Sequence, residues 1–103
     1  MTPRKRRRRR VGRKPGFTQF GPTSSSKKVG EVVLTVDELE SIRLKDLENL
    51  TQEEAAEKMD ISQPTFHRTL LSARKKISDA LINGKAIKVE GGNYWISPNK
   101  NQG

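Results

Sequence analysis

The sequence predicts a mainly α fold: a three-helix, helix-turn-helix domain with a small β-ribbon and a disordered basic N-terminal arm. Three observations lead there. Between Thr51 and Lys76 two capped, apolar-faced helical patterns follow one another across a tight turn. A third capped pattern opens at Thr35. The excess positive charge is gathered at one end, with +11 on residues 1–28 and −2 on residues 29–103.

The arm comes first. Arg4, Lys5, Arg6, Arg7, Arg8, Arg9 and Arg10 form an unbroken run of seven cations, with Arg13 and Lys14 behind it. Such a run repels itself and has nothing to bury, so disorder is expected. It suits a tail that tracks phosphates or lies in a minor groove. A solubilising tail with generic polyanion affinity is the plainer alternative. Gly16 to Pro22 is turn-rich and holds Phe17 and Phe20, which either dock on the body or stack on bases. Residues 23–28, TSSSKK, read as a polar linker. The expected organisation is therefore an arm and linker over 1–28, a domain over 29–92 and a flexible tail over 93–103.

Glu31 to Leu34 is short and β-branched, which suits a strand. Thr35 with Glu38 makes a capping box, opening a helix that runs to about Leu47. Val36, Leu39, Ile42, Leu44 and Leu47 span its apolar arc. Arg43 falls inside that arc and must snorkel or meet an acid. Thr51 with Glu54 makes a second box, and Ala55, Ala56 and Met59 give the next helix a small, closely packable face. Asp60 stands at a turn position that tolerates a left-handed backbone. Ser62 caps the third helix, and Pro64 sits in its first turn, where no amide is needed. Phe66, Leu70, Ala73, Ile77 and Leu81 then form one stripe over about five turns. Thr65, Arg68, Ser72 and Lys75 lie opposite. Asn83-Gly84 is a stop signal. Residues 86–90 alternate and have the length to pair with 31–34. Adding a partner's strand to that ribbon would make a homodimer.

Composition excludes several classes. There is no cysteine, hence no disulfide framework or thiolate metal site. No apolar run is long enough for a signal core or a membrane span, so no membrane partner is expected and the cytoplasm, on the nucleoid, is the expected place. His67 is the only histidine, and no glycine-rich phosphate loop joins a strand to a helix. The expectation is therefore no enzyme, no metal and no cofactor. Leu71, on the polar side, is open to three uses: a thymine methyl, the N-terminal segment or a dimer contact.

Residues 34–81, LTVDELESIRLKDLENLTQEEAAEKMDISQPTFHRTLLSARKKISDAL, resemble region four of sigma-seventy-class RNA polymerase sigma factors. The whole chain more closely resembles a family of small, functionally uncharacterised prokaryotic proteins. These begin Met-x-Pro-Arg with a basic stretch and end near Asn-Gly-Lys-Ala-x-x-x-Glu-Gly-Gly-Asn-Tyr, matched here by residues 83–94, NGKAIKVEGGNY. Asp60 stands where that pattern commonly has glycine, and the arginine run is unusually long.

The resemblance implies a DNA-binding role. It places Ser62, Gln63, Pro64, His67 and Arg68 at the start of the recognition helix, over base edges. Gln63 can pair with adenine and Arg68 with guanine, each by two parallel hydrogen bonds. Thr51 and Gln52 would meet phosphate at the preceding helix start, and Thr65, Arg74, Lys75 and Lys76 would serve as further backbone contacts. The preferred expectation is a sequence-specific transcription regulator on double-stranded DNA. The alternatives are a basic RNA-binding protein whose arm does the work, and a sigma-like module docking on RNA polymerase.

Overall fold

The structure is a computed structural model that describes residues 8–23 and 29–97. Arg4, Lys5, Arg6 and Arg7 lie outside the described residues, as do residues 24–28 and 98–103. The order of elements is β1 (Arg9–Val11), β2 (Gln19–Phe20), β3 (Glu31–Leu34), α1 (Val36–Ile42), α2 (Gln52–Met59), α3 (Gln63–Asn83), β4 (Ala86–Val89) and β5 (Tyr94–Ile96). The domain is thus mainly helical, with short strands at both ends of the helical unit. Among the described residues no helix is long and apolar enough to cross a membrane.

Each helix starts where local chemistry says it should. The hydroxyls of Thr35 and Thr51 accept from the amides of Glu38 and Glu54, whose carboxylates accept in return from the Thr35 and Thr51 amides. Both capping boxes are therefore complete, each satisfying two amides that no helical carbonyl reaches. Ser62 accepts from the Thr65 amide at 3.2 Å, with Pro64 in the first turn of α3. Asp60 ends α2 in the left-handed region at φ 60°, and Gly84 ends α3 at φ 65°. Beyond Ile42 the first helix widens into a π-turn over Arg43–Leu47, where the Glu48 amide donates to the Arg43 carbonyl at 2.8 Å. The expected span to Leu47 is met, but with a looser last turn.

Two apolar clusters hold the elements together, and Ile42 touches both. In the first, Leu44, Ala55, Ala56, Met59, Phe66 and Leu70 join α2 to α3. Phe66 and Met59 have no exposed surface, and burying a side chain of that size contributes about 1.5–3 kcal/mol. In the second, Val11, Leu34, Val36, Ala73 and Val89 join the strands to α1 and α3.

β3 and β4 pair in parallel, from Glu31 opposite Ala86 to Leu34 opposite Val89. The expected pairing of these segments is present. Parallel neighbours need a long crossover, and here the whole helical unit supplies it. β2 adds antiparallel to the other side of β4, while β1 pairs in parallel with β5.

Four expectations are corrected. Residues 1–28 were expected to be a disordered arm and 93–103 a flexible tail, yet β1 and β5 lie inside those stretches and pair with each other. Strand pairing draws on backbone groups, and Val11 is buried at 1% exposure, so the charge run did not decide the conformation of its last residues. Leu47, expected on the apolar arc of the first helix, and Leu81, expected at the end of the apolar stripe of the third, are 73% and 74% exposed. The π-turn carries Leu47 off the apolar arc. On α3 the buried stripe passes from Ile77 to Ala80, three residues on, leaving Leu81 outside. Phe17 does not dock on the body either, standing 78% exposed. Arg43 meets acids: its guanidinium donates to both Glu40 oxygens at 2.7 and 2.8 Å and to Glu48 at 3.2 Å.

Candidate nucleic-acid interface

The first turns of α2 and α3 come together at the surface. His67 Nδ1 lies 3.1 Å from Gln52 Oε1, a hydrogen-bonding distance that joins the two helix starts. Ser62, Gln63, Pro64, His67 and Arg68 are all exposed around this junction, and Thr51 is exposed beside Gln52. Thr65 is half-buried, and its hydroxyl is engaged locally. It accepts from Ser62 Oγ at 2.9 Å and from Arg68 Nη2 at 3.3 Å. A single weak contact to a neutral hydroxyl leaves most of the Arg68 donor fork available.

Pro64, Arg68, Leu71 and Lys75, spaced four, three and four apart, form the exposed ridge of α3. Neither Arg68 nor Lys75 forms an ion pair with a described carboxylate. The cations flanking the ridge differ. Arg74 grips Asp46 through two bonds, at 2.6 and 3.1 Å. That hydrogen-bonded pairing holds the Asp46 carboxyl below its ordinary value and raises Arg74. Lys76 donates to Glu38 at 2.8 Å. Of the three cations assigned to backbone contacts late in α3, the fold uses two to bind α3 to the first helix. Lys75 alone of that group forms no ion pair with a described carboxylate, though, behind the bonds from Asn83 and Lys85, its charge helps to hold the nearby Asp79 carboxyl below its ordinary value.

Acids border the site on one side. Glu53, Glu57 and Asp60 line a shallow hollow together with Ser62 and Gln63. A polyanion would meet repulsion there, so an approach from the Arg68 and Lys75 side is electrostatically preferred.

The arm is rooted in the body. Arg9 lies 3.6 Å from the Asp37 carboxylate, with both side chains mostly buried, and its amide donates to the Asn93 carbonyl at 3.0 Å. Arg10 stacks over the Trp95 ring at 5.9 Å. Arg8, Arg13 and Lys14 are exposed and pair with no described carboxylate. Within the described part of the run, then, Arg9 is an anchor and Arg8 and Arg10 face outward. Sequence reasoning missed Asp37, Glu38, Asp46 and Trp95 as partners. The available signal was the aromatic pair Tyr94-Trp95 in an otherwise polar terminus, which asks for something to cover.

The family model described as "Protein of unknown function DUF134" matches residues 1–97. A UPF0251 protein of Thermoanaerobacter pseudethanolicus is 56% identical over 95 residues, covering 91% of this chain and 80% of that one. A second, from Thermoanaerobacter sp., is 52% identical over 102 residues, covering 98% and 90%. A more distant relative, from Methanothermobacter thermautotrophicus, is 46% identical over 113 residues, covering 95% of this chain and 59% of that one. No solved structure matches the chain significantly. With nearly the whole chain covered and more than half of it identical in those first relatives, this protein belongs to the DUF134, or UPF0251, family of uncharacterised prokaryotic proteins.

Proposed function

We propose that this protein is a sequence-specific DNA-binding transcription regulator, with α2 and α3 acting as a helix-turn-helix. The observation that carries the reading is the α3 ridge. Arg68 and Lys75 form no ion pair with a described carboxylate on an exposed face, while their neighbours Arg74 and Lys76 are paired within the fold. An internal requirement for cations explains the flanking pair but not the ridge. A 21-residue helix with that face outward has the length and diameter to lie in a major groove. Arg68 would read a guanine edge, with Gln63 and His67 beside it. Gln52 and the exposed start of α2 would meet phosphate. The cations of the arm would add sequence-independent affinity. The resemblance to sigma region four read from residues 34–81 implies the same use of the two helices.

The experiment is selection of bound duplexes from a random pool, followed by titration of the selected and a random duplex at several salt concentrations. A recovered motif bound much more tightly than random duplex supports the reading. Equal affinity for all duplexes, with tighter binding to structured RNA, would replace it by an RNA-binding role.

A further inference from the structure

A second surface lies away from the α3 ridge. Between the N-terminal segment and the first helix is an open hollow of about 480 Å³, with an apolar floor and walls of Phe17, Phe20, Val36, Leu39, Ile42 and Leu47. Phe17 and Leu47 are more than 70% exposed and Phe20 is 48% exposed. Phe20 also lines an adjoining hollow of about 320 Å³, together with Ala80, Leu81 and Ile87. The two hollows therefore share Phe20, with Phe17 and Leu47 in the first and Leu81 in the second. A run of exposed large apolar side chains of this kind marks an interaction surface.

Its rim is cationic. Arg13 and Lys14 border the first hollow, exposed and unpaired with any described carboxylate. Arg43 also borders it, but Glu40 and Glu48 already hold that charge. We infer that this surface is a docking groove for an acidic amphipathic helix of another protein, its apolar side on Phe17, Phe20 and Leu47 and its carboxylates on Arg13 and Lys14. A second copy fits poorly. The exposed acids of α2 (Glu53, Glu54 and Glu57) lie on a helix whose apolar residues Ala55, Ala56 and Met59 are buried, and the exposed apolar side chains Leu81 and Ile82 neighbour Lys75, Lys76 and Lys85 rather than a surplus of acids. Arg13 and Lys14 are shared with the arm, but Phe17 and Leu47 belong only to the groove, so their variants test it apart from the proposed DNA interface.

The test uses the full chain and three labelled synthetic peptides of equal length. One is a Leu/Glu amphipathic helix, one its scrambled isomer, and one the helix with Glu replaced by Lys. Anisotropy is read at about 0.15 M salt, where long-range attraction by other cations of the chain is damped. The acidic helix should bind, and the other two should bind at least about tenfold more weakly. Phe17→Ala, Leu47→Ala and the double variant Arg13→Glu/Lys14→Glu should each weaken binding about tenfold or more without changing the melting temperature, since all four side chains are exposed or at the rim. Equal binding of the acidic helix and its scrambled isomer would assign the attraction to the basic arm and overturn the groove. Unchanged affinity in the Phe17 and Leu47 variants would do the same. A chain that sediments as a dimer, and as a monomer after Leu47→Ser, would give the groove to a second copy instead.

Discussion

Lys76 Nζ lies 2.8 Å from Glu38 Oε1, tying the middle of α3 to the first turn of α1. Ser72 Oγ donates to the other oxygen of the same carboxylate at 2.6 Å, and the Thr35 amide completes its set of donors. One buried carboxylate thus serves as a helix cap and as the bracket that holds α3 in place. Burial pushes the Glu38 carboxyl up, but the bonds from Lys76, Ser72 and Thr35 together outweigh that and hold it below the ordinary value of 4.5.

The sign of the pH dependence follows. A carboxylate depressed in the folded state contributes stability above the unfolded value, and that contribution is lost as pH falls through the folded value. Glu38→Gln should therefore lower stability by about 1–3 kcal/mol at neutral pH. The gap between the variant and the parent should close as pH falls through the folded value, which lies below 4.5, where the parent also loses the charge. Melting temperatures of the pair at pH 7 and pH 3 check this; a gap that stays constant would remove Glu38 from the acid response.

Arg68→Ala should cost about 1–3 kcal/mol on a selected duplex and relax preference at one base position, with little effect on random duplex. Salt titrations on both duplexes decide it. Equal weakening on the two would reduce Arg68 to a phosphate contact.

Two truncations should separate arm from anchor. Removing residues 1–7 takes away Arg4, Lys5, Arg6 and Arg7 and should leave the melting temperature unchanged. It should flatten the salt dependence by about 0.9 log units per log salt for each phosphate that is no longer neutralised. Removing residues 1–14 also takes the buried Val11 and the Arg9 partner of Asp37, and should lower the melting temperature as well. Identical melting curves for the two truncations would show that β1 contributes nothing to the fold.

Gly92 stands at φ 106°, and a Cβ there would collide with the Asp37 carboxylate. Gly84, at φ 65°, has open space around it. Gly84→Ala should cost about 1 kcal/mol from backbone conformation alone. Gly92→Ala should cost distinctly more, about 2–4 kcal/mol, because strain and displacement of the carboxylate add. Denaturant melts of both variants give the comparison, and equal costs would mean that Asp37 moves aside freely.

Phe66→Ala should cost about 3–5 kcal/mol, since the ring is fully enclosed between α2 and α3. A near-neutral thermal melt would place the centre of the domain elsewhere.

What could be read from the sequence was what is settled locally. Thr35, Thr51 and Ser62 announce their helices because a cap needs only the next three residues, and all three caps are present. The pairing of β3 with β4 was legible because both segments are β-branched and flank the helical unit. What escaped was settled by residues distant in the chain. Arg74 and Lys76 look like free cations until Asp46 and Glu38 arrive across 28 and 38 positions. Arg9 looks like one charge among seven until Asp37 meets it. Leu47 fits the helical period, and only the π-turn takes it out of register. At the candidate interface, residue types and their exposure were readable, but the division between bound and unbound cations required the packing.

The parallel pairing of β1 with β5 has a kinetic consequence. Arg9 meets Tyr94 and Val11 meets Ile96, so the first described strand waits for the last one. During synthesis the helices can form early, since their contacts are close in sequence, while Val11 has no completed site until Ile96 has been made. Contacts of such long separation slow the final step of folding. Until that step Arg9 and Arg10 lack the Asn93 carbonyl and the Trp95 ring that hold them in the finished fold.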